Sequence, residues 1–233
     1  GRVTEENPQF LAQNLFFSVF SASQGEQIRH LFKPEEGRIL RCFAIFERKV
    51  EDITEYCGTI KEKVMYRQIT RSAYTQFCKI AAPHPRAGWN PQRNWMLDWT
   101  APADCRIVAV QLSRNCPRHS VDILNKEAVA SFIRHTQEEY LNHFGAAAFE
   151  QHVAACFMDE PAPGGEFPWT GAFPDEYRKR HGGEILDLLP HLVLDIDDSS
   201  LAIRHAYRQT QAALQCENYL VQIRSYCHKH NIQ

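Results

Sequence analysis

The chain has 233 residues, 44% of them hydrophobic and 23% charged, and a formal net charge of -2. That is the composition of a globular protein that buries a core. The near-neutral charge, with a pI of about 6.6, excludes a strongly basic surface for nucleic acid or anionic lipid. No run approaches the roughly eighteen apolar residues of a membrane-spanning helix. Neither nucleic acid nor membrane is therefore an expected partner.

No signal peptide is visible at the start. The first residue is Gly1, and both ends of the sequence are abrupt, so a piece of a longer protein is expected. Eight cysteines, at 42, 57, 78, 105, 116, 156, 216 and 227, form no CxxC pair, and their spacing is wide and irregular. This fits neither a zinc site nor a small disulfide scaffold, and it favours reduced thiols and a cytoplasmic location.

Taken in chain order, residues 5–20 carry Phe10, Leu11, Leu15 and Phe16 at helical spacing and predict a helix. Residues 38–57 and 63–82 are rich in Ile, Val, Phe, Tyr and Thr with partial alternation, and predict mostly antiparallel strands. "PHPRAGWNPQRNW" reads as a loop, and "NWMLDWTAP" and "CRIVAVQLSR" as two more strands. From residue 121 the pattern changes. Val129, Phe132, Ile133, Thr136, Tyr140 and Phe144 share one face of an amphipathic helix over 125–144, with Asn125 as its N-cap and Gly145 beyond its end. "HVAACFM" is a short apolar run that predicts a strand over 153–158, buried on both faces. Pro174 suits the first turn of the next helix. Residues 199–229 form a long helical pattern, or a helix with a kink.

The second half thus reads strand, helix, strand, helices, which is the order of a parallel α/β architecture. Such folds deliver their chemistry at the carboxyl ends of strands. Asp159 and Glu160 stand at the end of the "HVAACFM" strand, and Pro161 stops the ladder from continuing. Glu160 has the reach to donate a proton to a leaving oxygen, with Asp159 turned to support it. The plain alternative is a solvated strand end. Trp169 and Phe167 suit stacking on a sugar ring, or simply anchor the loop in the core. Asp122 and Asn125 follow another strand and could line the same face; a cap is the simpler role for Asn125. Trp89, Trp95 and Trp99 could form a binding surface, but a packed β core is the commoner use.

"FMDEP" followed by "PWTGAFPDEYRKRHGGEILDLLPHL" resembles the catalytic segment of large bacterial glycoside hydrolases of the α-L-rhamnosidase-like type. The resemblance rests on the "DEP" strand end, the "PWT" that follows, and a helix ending that stands here as Gly183, Glu184, Ile185, Leu186, then Leu189, Pro190 and Leu192. It is specific over about residues 120–230. A Gly182–Gly183 pair replaces the family's usual Gly-Tyr.

What the resemblance implies is a partial (β/α)8 (TIM) barrel with an inserted or accessory β-rich region. Residues 1–35 would be an N-terminal helical barrel segment, 36–104 the β-rich insertion or subdomain, and 105–233 the barrel segment carrying the DEP strand end. It implies a glycoside hydrolase acting on a terminal glycosidic bond, with Glu160 and Asp159 catalytic and Trp169, Phe167, Asp122 and Asn125 binding a carbohydrate substrate. The second carboxylate that such chemistry needs is expected outside this sequence, leaving the chain inactive alone. The alternative is a non-catalytic carbohydrate-binding or structural fragment. Pairing into a homo-oligomer is one way to cover the open edges of a partial barrel.

No cofactor or metal site is expected. The acidic run at Asp195, Asp197 and Asp198 lacks the glycine and terminal Glu of a calcium loop and reads as a helix start, although a divalent cation such as calcium is left open. Cys227, His228 and His230 read as a helix end whose cations suit the dipole rather than as ligands.

Overall fold

A computed structural model describes residues 7–33, 37–59, 95–113 and 120–232. The strand expected over 63–82, the loop that follows it, Trp89, Cys78 and Cys116 lie outside the described residues. The chain divides into two units, one made of Gly1–Phe16 with Leu112–Gln233 and the other of Phe17–Gln111. The boundaries fall inside strands β1 (Gln13–Ala22) and β7 (Cys105–Ser113).

The second unit, as far as it is described, is built mainly of β-strands. It adds β2 (Gln27–Leu31), β3 (Arg38–Phe46), β4 (Lys49–Asp52), β5 (Cys57–Thr59) and β6 (Trp95–Thr100). The strand order is β4-β3-β7-β1 in one sheet and β2-β6-β5 in the other. Pairing of β2 with β6, β3 with β4, and β5 with β6 is antiparallel. Strands of both sheets feed one apolar cluster, which includes Ile28, Cys42, Ala44, Leu97, Trp99, Ile107 and Ala109. Side chains alternate across a strand, so on β7 Ile107 and Ala109 enter that cluster while Val108 and Val110 face the other way, equally buried. Trp95 and Trp99 are core residues here.

The helix expected over residues 5–20 is not formed: a short 3-10 turn at Pro8–Phe10 leads into β1. Leu15, Phe16, Phe17, Val19 and Phe20 suit a strand as well as a helix, and pairing partners decide between them. In the first unit the backbone of Phe10–Asn14 is bonded on both sides. Ala12 N–H donates to Ser120 O and Asp122 N–H to Phe10 O. Gln13 and Asn14 pair antiparallel with Trp169 and Pro168, which form the two-residue strand β8.

The rest of the first unit is helical: α1 (Lys126–His135), α2 (Gln137–Phe144), α3 (Ala146–His152), α4 (Phe173–His181), α5 (Ile185–Leu188), α6 (Ser200–Gln215) and α7 (Val221–Lys229). The single helix expected over 125–144 is broken at Thr136, whose hydroxyl donates to Phe132 O. Asn125 does cap it, its Oδ1 accepting from the Glu127 and Ala128 amides at 2.9 and 3.1 Å. Gly145 ends α2 with φ +80°. The long helical pattern over 199–229 is interrupted by a π turn at Cys216–Leu220. Ser200 is the side chain that secures the start of α6, accepting from the Ile196 amide at 3.0 Å; Asp198 and Ser199 make no such cap.

The strand expected over 153–158 is also not formed. Among the described residues the segment has no ladder partner, and it is largely exposed. A buried strand needs neighbours on both edges, and among the described residues none pairs with this segment. Where register is resolved the strands pair antiparallel, and among the described residues the sheets do not close into a barrel. The architecture is mixed α/β.

Candidate active site

The acidic pair sits in the middle of a long loop, residues 153–167, that is fastened at several points within the first unit. At its start, the Val153 amide donates to Phe149 O at 2.9 Å, and Val153 and Cys156 pack against the helical core. In its middle, Gln215 Nε2 of α6 donates to Pro161 O at 2.5 Å. At its end, the Phe167 amide donates to Asn14 Oδ1 at 2.9 Å and the Leu15 amide to Phe167 O at 2.9 Å. The Tyr207 hydroxyl then donates to Pro168 O at 2.5 Å.

Between these anchors Asp159 and Glu160 are exposed, as are Phe157 and Met158. Glu160 has φ +42°, a left-handed conformation that costs a non-glycine residue roughly 1–2 kcal/mol. Strain of this kind recurs where function constrains the backbone.

The two aromatic candidates are placed by packing. Trp169 is 3% exposed and stacks on Phe173, ring centroids 4.8 Å apart at 17°. Phe167 is half-buried, with the Arg208 guanidinium 5.5 Å from its ring centroid and Tyr207 beyond. Both secure the end of the acidic loop.

Asp122 lies across the Phe10–Asn14 segment from that same loop end. The segment Phe10–Asn14 has Asp122 bonded to one side and Trp169 to the other. Asp122 is 2% exposed, and its Oδ1 accepts from the Leu124 amide at 3.0 Å. Its Oδ2 and the neighbouring Thr170 Oγ1 are both buried without a hydrogen bond of good geometry. Burial pushes the Asp122 carboxyl up to about 6, with the Thr170 hydroxyl and the Leu124 amide offsetting part of the rise. Asp122 is therefore a part-protonated buried acid near neutrality. Asn125 is a helix cap, as described.

Among the described residues no three His, Cys, Asp or Glu side chains gather as a metal would require. Asp195 pairs with Arg204, and Asp197 Oδ1 accepts from the Ser199 amide at 2.8 Å. No described helix is long and apolar enough to cross a membrane.

Sequence reasoning missed Asn14, Thr170, Tyr207 and Gln215, which hold or flank the loop. Asn14 fell in the region read as helix; Tyr207 and Gln215 were regular helical positions. The close approach at Gly165 was a usable signal: a Cβ there would stand 2.3 Å from the Asn14 side chain, and φ is +72°.

Residues 96–233 match the family model of the glycoside hydrolase 106 α-L-rhamnosidases, which is more than half of the chain. The chain belongs to this α-L-rhamnosidase family. A solved structure of the rhamnosidase from Novosphingobium sp. PP1Y is 18% identical, with a TM-score of 0.39, over 59% of this chain and 15% of that one. This chain thus spans a small part of that protein's length. No curated protein matches the chain significantly.

Proposed function

We propose that the chain carries the acid/base segment of a bacterial α-L-rhamnosidase, in which Glu160 donates a proton to the glycosidic oxygen and Asp159 supports it or binds a substrate hydroxyl. The observation that carries this reading is the loop itself: an acidic pair presented to solvent, with a left-handed Glu160, on a segment anchored at both ends and in the middle.

In glycoside hydrolysis the acid protonates the departing oxygen as the anomeric C–O bond breaks. A second carboxylate either attacks the anomeric carbon or activates a water. In this reading that second carboxylate, and the walls that would exclude water from Glu160, come from sequence beyond this chain. The region 105–233 is then part of a (β/α)8 barrel. Asp159 and Glu160 stand on its loop 153–167, where the fastened ends hold the pair toward the substrate. Phe167 and Trp169 hold the loop, and Asp122 and Asn125 shape the adjoining strand end; these four are proposed to act on the sugar through that placement.

The test uses the full-length enzyme and its Glu160→Gln variant on aryl α-L-rhamnosides with good and poor leaving groups. Loss of the acid should slow poor leaving groups by about 10²–10⁴-fold and activated ones far less. Equal losses on both would remove the proton-donor role.

One feature favours binding without catalysis. In the second unit an open depression of about 410 Å³ is lined by Ser21, Ser23, Glu47, Asp104 and Arg106, polar groups able to bond sugar hydroxyls. On this reading the Asp104→Ala and Arg106→Ala variants lose oligosaccharide binding in a titration, and Glu160→Gln does not.

A further inference from the structure

Two of the six described cysteines come together in one apolar cluster at the foot of the acidic loop. Cys156 stands just ahead of Phe157, Met158, Asp159 and Glu160. Cys227 belongs to α7 and is 5% exposed. Far apart in sequence, they are brought together by the fold. Cys227 is part of the apolar cluster of Val129, Ile133, Phe149, Ile223 and Tyr226, and the half-buried Cys156 packs against that cluster. Both thiols are free. Burial pushes the Cys156 thiol up to about 11, and interaction with the Cys227 thiol adds to the rise.

We infer that Cys156 and Cys227 are a disulfide-forming pair, and that closing it ties the acidic loop to helix α7. Among the described residues, residues 154–160 make no backbone hydrogen bond, so between the anchors at Val153 and Pro161 this stretch is held by packing and by the contact of the Cys156 and Cys227 thiols. A bond from Cys156 would fasten its centre.

Hydrogen peroxide is a sufficient oxidant. The Cys156 thiolate attacks one peroxide oxygen, breaking the O–O bond and leaving a sulfenic acid and, after proton uptake, one water. The Cys227 sulfur then attacks the sulfenic sulfur, which expels its oxygen as a second water. Two thiols and one peroxide give one disulfide and two waters. The high thiol pKa keeps the thiolate scarce at neutrality, so the pair closes slowly and behaves as a structural tether rather than a rapid sensor. This holds whether or not Glu160 is catalytic.

The experiment compares the folded chain after peroxide treatment with the same chain kept in dithiothreitol. Peptide mapping without reduction should find Cys156 joined to Cys227. Chymotrypsin should cut after the exposed Phe157 several-fold more slowly in the oxidised protein, and dithiothreitol should restore the rate. Cys156→Ser should abolish both effects, and so should Cys227→Ala, which keeps its buried site small and apolar. Recovery of Cys156 as a free thiol, or joined to another cysteine, after full oxidation would overturn the assignment. So would equal cleavage of the oxidised wild type and Cys156→Ser.

Discussion

Asn14 and Phe167, 153 residues apart in sequence, are joined by a hydrogen bond of 2.9 Å from the Phe167 amide to Asn14 Oδ1. Gly165 packs against the same Asn14 side chain, where a Cβ would clash at 2.3 Å. This contact fixes where the acidic loop ends. Asn14→Ala should strand a part-buried amide and cost about 1–3 kcal/mol. Gly165→Ala should cost at least as much, because it adds a left-handed φ to the clash. Denaturant melts of both variants check this; a double variant less destabilised than the sum of the two would show that they act on one contact.

Asp122 gives a pH signature. Its folded pKa, about 6, lies above the ordinary 3.8. Its contribution to stability is therefore full below about pH 4 and lost as pH rises through about 6, a cost of up to roughly 3 kcal/mol at neutrality. Asp122→Asn keeps the acceptor for the Leu124 amide and offers Thr170 a donor. The variant should match the wild type at low pH and exceed it in stability at pH 8. His191 has its pKa lowered from 6.5, chiefly by burial, so its contribution is lost as pH falls; it is common to both proteins and cancels in the difference. A gap between the two proteins that does not change with pH would contradict the assignment.

Tyr207 is fully buried and supports β8 through its hydroxyl on Pro168 O. Burial raises its pKa, so it remains a neutral donor. Tyr207→Phe should cost about 1 kcal/mol. Tyr207→Ala, which also opens a cavity beside Phe173 and Phe167, should cost about 3–5 kcal/mol. Thermal melts would separate the two.

Local signals read well where one residue decides the backbone. Asn125 as a cap, Gly145 as a stop and Pro174 in the first turn of α4 follow from side-chain chemistry within a few residues. The antiparallel β region was legible because alternation and β-branched residues agree. The failures came where distant partners decide. Leu15 and Phe16 sit at helical spacing, yet Gln13 and Asn14 pair with Trp169 and Pro168, and that ladder overrides periodicity. The "HVAACFM" run has the composition of a buried strand, but among the described residues it has no neighbour to bond, and Phe157 is exposed. The acidic pair could be picked out from its position before Pro161. Its anchors could not, because a hydrogen bond between Asn14 and Phe167 leaves no local pattern.

Glu160 holds a left-handed backbone without the freedom of glycine. Glu160→Gly should leave stability unchanged or raise it by up to about 1 kcal/mol while removing the carboxyl. A clear loss of stability in an otherwise folded variant would mean that the Glu160 side chain holds the loop.

Hydrolysis of an aryl α-L-rhamnoside with a poor leaving group, by the full-length enzyme and its Glu160→Gln variant, both confirmed folded, decides whether Glu160 is the proton donor. A proton-donor role for Glu160 predicts turnover by the wild type and a loss of about 10²–10⁴-fold in the variant, with substrate binding retained. Turnover by Glu160→Gln within a few-fold of the wild type would contradict it.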